Sequence, residues 1–225
     1  MYGTLYIVST PIGNLDDISF RALKVLESVD SIAAEDSRIT NRILKHYNIK
    51  NSFISYNNYN ENRKYLHLID LLKNNQNIAL VSDAGTPCIS DPGYRLVNAA
   101  KIEGIKVVTI PGPSSVVSAL SISGLPSDKF YFEGFLPKKK GRSKRLNYLS
   151  QLESTIIIFE SPRRLVKTLR DILDNLGNRV IALCKELTKL HENVEVGYLD
   201  DLLPDNDVNL KGEYIIIIAN EKYRI

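Results

Sequence analysis

The chain has 225 residues, of which 44% are hydrophobic, 12 are glycine and 9 are proline. This length suffices for one large or two small domains, and the composition is typical of a globular protein. No apolar run approaches the roughly 20 residues needed to cross a bilayer, and the amino terminus lacks a signal-like apolar core, so we expect a cytoplasmic protein. The cysteines and histidines are dispersed, which predicts neither a disulfide framework nor a protein-bound metal.

The positive charge is concentrated in one run. Residues 138–145 read KKKGRSKR and hold six of the 29 basic residues and no acidic ones, whereas the rest of the chain is net acidic. Such a run can neutralise several phosphates and is common in nucleic-acid-binding surfaces. A solvated linker between domains is the alternative. The candidate nucleic-acid contacts are Lys138, Lys139, Lys140, Arg142, Lys144 and Arg145.

Strands and helices are predicted to alternate through the first half of the chain. Short apolar runs bounded by turn residues predict strands, and longer amphipathic stretches predict helices. Helices between successive strands indicate an α/β fold with a mostly parallel sheet. The predicted strands lie near residues 4–8, 30–34, 52–56, 77–82 and 106–110, and the helices near 18–28, 38–47, 61–74, 93–103 and 113–122.

The second half continues the α/β pattern after a turn at residues 124–127. Isoleucine-rich runs favour buried strands over helices because they are β-branched. We therefore predict two α/β domains, 1–125 and 126–225. Predicted strands begin at residue 130 and cover 155–159, 179–184 and 214–218, with helices near 142–152 and 162–176.

The loop after the fourth predicted strand carries the strongest ligand-binding pattern. Residues 81–93 read VSDAGTPCISDPG, which ends an apolar run and exposes backbone in a polar segment. Ligands of open α/β sheets bind outside the carboxyl ends of strands, and we predict ligand contact for Asp83. Asp91 is predicted instead to cap the next helix.

Two similar loops follow the first and fifth predicted strands. They read STPIGN, residues 9–14, and PGPSS, residues 111–115. Three loops of this kind predict one shared cleft. Neither loop matches a dinucleotide-binding or phosphate-binding fingerprint, since GxGxxG is absent and no glycine-rich segment has P-loop spacing.

Six motifs occur in order along residues 9–192: STPIGNLDDIS, AAEDSR, VSDAGTPCISDPG, IPGPSS, FESPRR and KELTKLHE. Together they resemble the tetrapyrrole methylase superfamily, and in detail the bacterial branch that methylates the ribose 2′-hydroxyl of a cytidine in 16S ribosomal RNA. The resemblance implies two α/β domains with the cofactor cleft between them, S-adenosyl-L-methionine as methyl donor, 16S rRNA within the small ribosomal subunit as substrate, and a homodimer.

The resemblance also assigns residues to the cofactor and favours RNA as the partner of the basic run. By correspondence with the family's loops, the cofactor would be bound by Pro11, Gly13, Asp83, Ala84, Gly85, Thr86, Pro111, Gly112, Ser114 and Ser115.

Ribose methylation needs a group that accepts the hydroxyl proton and cations that stabilise the developing oxyanion. Charged residues after three further predicted strands are candidates. The catalytic candidates are Glu35, Arg38, Lys185 and Glu186, and the further RNA contacts are Arg163, Arg164 and Lys189. Helix capping is an equal alternative for Glu35 and Asp36, and pairing with Glu160 is the alternative for the two arginines.

The chain departs from the family pattern at three positions. Arg163 stands where histidine is common, Lys185 where arginine is common, and Asn193 where a second acid often follows Glu192. The first departure argues against an obligatory histidine base. Two other functions stay open: methylation of a tetrapyrrole intermediate, which does not need the basic run, and a non-catalytic RNA-binding ribosome-assembly factor, which need not bind the donor.

Overall fold

The structure, a computed structural model, describes residues 1–204 and 210–225. The chain divides into two compact units, Met1–Ser114 and Ser115–Ile225. Within the described ranges, every helix is too short or too polar to cross a lipid bilayer. The units divide ahead of the helix that begins at Ser115, whereas the domain boundary predicted from the sequence follows that helix, after residue 125.

The first unit is built around a parallel sheet. Its elements are β1 (Thr4–Val8), a 3₁₀ helix (Leu15–Asp17), α1 (Phe20–Ser28), β2 (Ser31–Ala34), α2 (Ser37–His46), β3 (Phe53–Ser55), α3 (Glu61–Lys73), β4 (Ile78–Val81), α4 (Tyr94–Ile102) and β5 (Lys106–Ile110). The strand order among the described residues is β3-β2-β4-β1-β5, and these pairings are parallel. The predicted parallel sheet is confirmed, because each intervening helix returns the chain to the same end of the sheet.

Both faces of this sheet are covered. Leu26 and Leu44, from α1 and α2, belong to the apolar cluster on one face, and Leu68 and Leu96, from α3 and α4, belong to the cluster on the other. β2 and β4 are buried along their whole length, which explains their uninterrupted apolar sequences. Because the strands are parallel, the loops after β1, β2, β4 and β5 all lie at the carboxyl edge of the sheet.

The second unit has a mixed sheet. Its elements are α5 (Ser115–Ile122), β6 (Phe130–Phe135), α6 (Arg142–Ser150), β7 (Thr155–Glu160), α7 (Leu165–Leu176), β8 (Val180–Lys185), β9 (Asn193–Tyr198) and β10 (Tyr214–Ile218). The strand order among the described residues is β6-β7-β10-β8-β9; β6 and β7 are parallel, and the other pairings are antiparallel. Leu149 and Ile172, from α6 and α7, pack with Ile158 and Ile216 of the sheet.

Two elements differ from the sequence prediction. β9 is absent from the predicted strands; it pairs with β8 at the edge of the sheet, and its exposed polar residues dilute the apolar signal. α7 begins at Leu165, whereas the helix was predicted from Pro162. The residues in between form a turn in which the Arg164 amide donates to the Ser161 carbonyl at 3.0 Å.

Replacing Ile216 with alanine is expected to lower the free energy of unfolding by about 2–5 kcal/mol. The side chain is 0% exposed on β10, the strand that joins β7 to β8, and its loss leaves a cavity. The control is Val196→Ala on β9, where the side chain is 44% exposed and a loss below about 1 kcal/mol is expected. Urea unfolding followed by circular dichroism measures both; equal losses would contradict the central position of β10.

Candidate functional site

The three predicted ligand loops are hydrogen-bonded to one another at the carboxyl edge of the first sheet. Thr10 and Gly85 exchange backbone hydrogen bonds of 2.9 and 3.0 Å. The Thr86 hydroxyl donates to the Pro113 carbonyl at 3.2 Å and lies 2.9 Å from the Ser9 hydroxyl. Since Thr86 uses its proton on Pro113, Ser9 is the donor of the second bond. The loops after β1, β4 and β5 therefore form one connected surface.

Glycine is favoured at two positions on this surface for different reasons. Gly85 has φ of +79°, a backbone conformation that residues with a side chain rarely adopt. Gly112 packs closely on the loop after β1: a Cβ there would lie 3.1 Å from Ser9 Cβ, so a side chain would require the two loops to shift apart by a few tenths of an ångström.

The residues predicted to bind the cofactor differ in exposure. Pro11 and Gly85 are buried and lie on the interior side of the loops. Side chains or backbone accessible from solvent belong to Gly13, Asp83, Ala84, Thr86, Pro111, Gly112, Ser114 and Ser115. Ser115 is the first residue of α5 and belongs to the second unit.

Carboxylates connect the ends of β2 and β4. The Asp36 amide donates to Asp83 Oδ1 at 2.9 Å, and the Glu35 carboxylate accepts from the Asp83 amide. Asp91 lies near Asp83, beside the Ser82 hydroxyl. Burial raises the pKa of Glu35, and the negative charges of Asp83 and Asp91 raise it further. Burial is also the main cause of the raised pKa of Asp83 and of Asp91.

Asp36 differs from its acidic neighbours because it is neutralised locally. Its carboxylate accepts from the Arg38 backbone amide at 2.9 Å and from the Arg38 guanidinium, which lowers the pKa of Asp36 to about 2. Asp36 is the N-cap of α2, which confirms the capping alternative for this residue. The Arg38 side chain is 89% exposed and turns back onto Asp36.

The capping role predicted for Asp91 is wrong. Gly93 is the N-cap of α4, and no side chain caps this helix. Gly93 has φ of +138°, and a Cβ there would lie 2.6 Å from Cys88 Sγ and 2.7 Å from Leu80 Cδ2. The tight packing sets the helix start two residues later than the Ser-Asp-Pro sequence suggests, so that Asp91 stays in the loop near Asp83.

The basic run in the second unit divides into exposed lysines and an internal arginine. Lys138, Lys139, Lys140 and Lys144 are exposed. Arg142 is only 7% exposed; its Nε donates to Asp171 Oδ2 at 2.7 Å, Nη1 to the Pro137 carbonyl at 3.1 Å, and Nη2 to Thr168 Oγ1 at 2.8 Å.

Arg145 is also bound within the protein. Its guanidinium pairs with Glu133, donates to Tyr131 Oη, and lies 4.8 Å from the centre of the Tyr148 ring. The RNA contacts predicted for Arg142 and Arg145 therefore need correction, because both guanidinium groups are engaged inside the unit. The helix predicted near residues 142–152 is present as α6, residues 142–150, but the sequence did not show that this helix directs these two arginines toward partners within the unit.

Glu160, at the end of β7, is the buried acid of the ESPRR motif. Its carboxylate accepts from the Thr168 hydroxyl at 2.6 Å and from the Ser161 amide at 2.7 Å, and it pairs with Arg164 at 3.2 Å. The predicted pairing alternative is thus confirmed for Arg164, whereas Arg163 is exposed. Thr168 was missed from the sequence because a threonine within a helix carries no motif.

The KELTK segment follows β8 and contains a compact charge cluster. Lys189 Nζ lies 3.0 Å from both Glu186 Oε1 and Glu213 Oε2, and Glu186 Oε1 also accepts from the Glu213 amide at 2.9 Å. The Lys189 hydrogen bond is the main cause of the lowered pKa of Glu186. Lys185 Nζ lies 5.9 Å from the centre of the Tyr214 ring. Glu186 is thus a stabilised anion, which makes it a poor proton acceptor.

Comparison with known proteins identifies close relatives. The family "Tetrapyrrole (Corrin/Porphyrin) Methylases" matches residues 4–203. "Ribosomal RNA small subunit methyltransferase I" of Halalkalibacterium halodurans is 47% identical over 225 residues, which cover 99% of this chain and 78% of the relative. The protein of that name from Thermotoga maritima is 48% identical over 221 residues, which cover 98% of this chain and 100% of the relative.

A solved structure shows the same fold at lower identity. The uroporphyrin-III C-methyltransferase of Thermus thermophilus in complex with S-adenosylhomocysteine has a TM-score of 0.68 and 16% identity, covering 96% of this chain and 97% of that one. Family match, near-full-length identity and shared architecture agree. The chain belongs to the tetrapyrrole methylase family and, within it, to the ribosomal RNA small subunit methyltransferase I group.

Proposed function

We propose that this protein transfers a methyl group from S-adenosyl-L-methionine to the ribose 2′-hydroxyl of a cytidine in 16S ribosomal RNA. The observation that carries the proposal is identity at nearly half of all positions, over almost the whole chain, to relatives named as ribosomal RNA methyltransferases. The cytidine, the folded small subunit as substrate, the cytoplasmic location and a homodimeric state follow from the same resemblance.

The carboxyl edge of the first sheet suits the donor. S-adenosyl-L-methionine supplies an activated methyl group on a cationic sulfonium. The loops at this edge offer accessible backbone at Ala84, Pro111 and Gly112, and the carboxylates of Asp83 and Glu35 lie beside them. Negative charge next to exposed backbone groups favours a ligand that is cationic and rich in hydrogen-bonding groups.

Glu35 is the proposed proton acceptor. A raised pKa makes a carboxylate a stronger base. Glu186 fits this role less well because its pKa is lowered. Arg38, with its exposed guanidinium, and Lys185 are proposed to bind phosphate or to stabilise the oxyanion.

The lysine surface, defined as Lys138, Lys139, Lys140 and Lys144, is the proposed RNA contact together with Arg163; Lys189, like Arg145, is engaged by carboxylates within the unit. Its four amino groups are exposed and supply the electrostatic attraction to the phosphates of the RNA. A tetrapyrrole substrate would not require this surface. A non-catalytic assembly factor would not require the connected loops of the first unit.

Methyl transfer to RNA is the first expectation. Purified protein and radiolabelled S-adenosyl-L-methionine should label small ribosomal subunits from a strain lacking this gene, and nuclease mapping should place the label on a 2′-O-methylcytidine. Donor binding without transfer to subunits or to naked ribosomal RNA would contradict the proposed substrate. Failure to bind the donor by isothermal titration would favour the assembly factor.

Replacing the four residues of the lysine surface with glutamine should weaken 16S rRNA binding and flatten its salt dependence. The negative slope of log K against log salt concentration should become shallower by about 0.7–0.9 for each lost phosphate contact. Donor affinity should be unchanged. The control replaces four exposed lysines of the first unit, Lys45, Lys50, Lys101 and Lys106, with glutamine. Identical slopes in the two quadruple variants would refute the lysine surface.

Glu35→Gln is expected to lower methyl transfer by about 10²–10⁴-fold and to raise stability at neutral pH. The raised pKa means that the folded protein binds this proton more tightly than the unfolded chain, so the ionised carboxylate opposes folding above that pKa. The stability gain should shrink as the pH falls below the raised pKa, and it should vanish below the ordinary pKa of the carboxyl, where the group is neutral in both the folded and the unfolded chain.

The control for Glu35→Gln is Glu27→Gln at an exposed position of α1. Thermal unfolding across the pH range and single-turnover methyl transfer measure both effects. A Glu35→Gln protein with full activity would rule out the proton-acceptor role, and a loss of stability at neutral pH would contradict the electrostatic strain at this edge.

A further inference from the structure

A continuous chain of hydrogen-bonded polar groups lies inside the second unit. It runs from Asp171 to Arg142, from Arg142 to Thr168, from Thr168 to Glu160 and from Glu160 to Arg164. The centre of the chain is buried: the Glu160 side chain and the Thr168 residue are 0% exposed, and the Arg142 side chain is 9% exposed. The side chains at its two ends, Asp171 and Arg164, are 22% and 24% exposed. We call these five residues the buried charge chain. Its carboxylates alternate with its guanidinium groups, and Thr168 donates to one neighbour and accepts from the other.

The two arginines of the buried charge chain bind consecutive backbone carbonyls. Arg142 Nη1 donates to the Pro137 carbonyl at 3.1 Å, and Arg164 Nη2 donates to the Leu136 carbonyl at 2.8 Å. These carbonyls immediately precede the lysine turn, residues 138–141. The turn is closed by the Arg142 amide, which donates to the Lys139 carbonyl at 3.2 Å. Both ends of the lysine turn are thus attached to one internal network.

The same network holds the loop that carries Arg163. Glu160 accepts from the Ser161 amide at 2.7 Å, and its carboxylate pairs with Arg164, the next residue after Arg163. Arg163 itself is exposed. The backbone that presents Arg163 and the backbone that presents the lysine turn are therefore joined through buried side chains.

Stability alone gives little reason for this arrangement. Leu146, Leu149, Leu169 and Ile172 already pack α6 and α7 against the sheet. Buried ion pairs are often replaceable by apolar residues without loss of stability, because desolvation offsets their attraction. Their directional bonds do fix geometry: a guanidinium donates in a rigid planar fork and holds its acceptors at defined positions.

We propose that Arg142 and Thr168 are positioning residues for RNA binding, which hold the lysine turn and Arg163 on one rigid support for the phosphates of the RNA substrate. The inference rests on the proposed function and deepens it. Lysine side chains lose conformational freedom when they bind phosphate, and a fixed backbone limits that loss to the side chains themselves. Neither Arg142 nor Thr168 touches the RNA in this proposal.

The first test uses a matched pair of charge-removing variants. Arg142 and Lys167 both pair with Asp171, but Lys167 is 70% exposed and, among the described residues, bonds to neither the lysine turn nor Thr168. Arg142→Gln is expected to raise the Kd for 16S rRNA by about three- to tenfold, the equivalent of one or two lost hydrogen bonds. Lys167→Gln, with the same change in net charge, is expected to change it by less than about twofold.

The second test removes no charge. Thr168→Val deletes the hydroxyl between Arg142 and Glu160 and is expected to raise the Kd for 16S rRNA to a similar extent, whereas Thr168→Ser retains the hydroxyl and should restore the affinity. The Kd for S-adenosyl-L-methionine should stay within about twofold in both variants, because the proposed donor contacts other than Ser115 lie in the first unit. Filter binding below the unfolding temperature measures RNA affinity without requiring methyl transfer.

A double-mutant cycle separates positioning from a purely structural role. Thr168→Val should have little further effect on RNA affinity in a protein that already carries Lys138→Gln, Lys139→Gln and Lys140→Gln, because it acts through those side chains. Additive losses would overturn the proposal. Unchanged RNA affinity in folded Thr168→Val or Arg142→Gln protein would also overturn it, even with a lowered Tm. If Thr168→Val does not fold, the Arg142 and Lys167 pair decides. Methyl transfer by the unchanged protein tests the proposed function separately.

Discussion

The carboxyl edge of the first sheet depends on the two backbone hydrogen bonds between Thr10 and Gly85. They join the loop after β1 to the loop after β4, and the Ser9–Thr86–Pro113 hydroxyl relay extends the link to the loop after β5. These strands are parallel, so the sheet brings the loops to the same edge, but it does not fix their spacing. The backbone pair fixes that spacing, and glycine at residue 85 permits the positive φ that the loop adopts there.

The two units use charge in opposite ways. In the first unit, Glu35, Asp83 and Asp91 form no ion pair with lysine or arginine among the described residues. The positive charge of Arg38 offsets only part of the rise in the pKa of Asp83, and the pKa values of all three carboxyls stay raised. In the second unit, the buried charge chain alternates in sign and satisfies its members. Carboxylates without an ion-pair partner have shifted pKa values, which suits them to proton transfer. Charges that are paired in a hydrogen-bonded network fix the positions of the groups they join.

Sequence reasoning predicted most of the fold because most strands are apolar runs and the helices between them have clear boundaries. It failed where tertiary contacts decide. The N-cap of α4 is Gly93 and not the predicted Asp91, because packing against Cys88 and Leu80 sets the start of the helix. The basic run is uniform in composition, yet its helical part directs Arg142 and Arg145 toward acidic partners within the unit. These partners are not neighbours in the sequence, so no local pattern reveals the pairs. The ligand loops were recognisable because glycine, proline and aspartate after an apolar run carry a local signal.

The strand order has a consequence for synthesis. The sheet of the first unit is complete once residue 110 has emerged, since β1 to β5 all lie before that point. In the second unit, β10 is inserted between β7 and β8, so the two earlier strands have no common neighbour until residues 214–218 are available. During translation the first unit can therefore fold while the isoleucine-rich strands β7 and β8 still present unpaired edges, and those edges are the part of the nascent chain most exposed to aggregation.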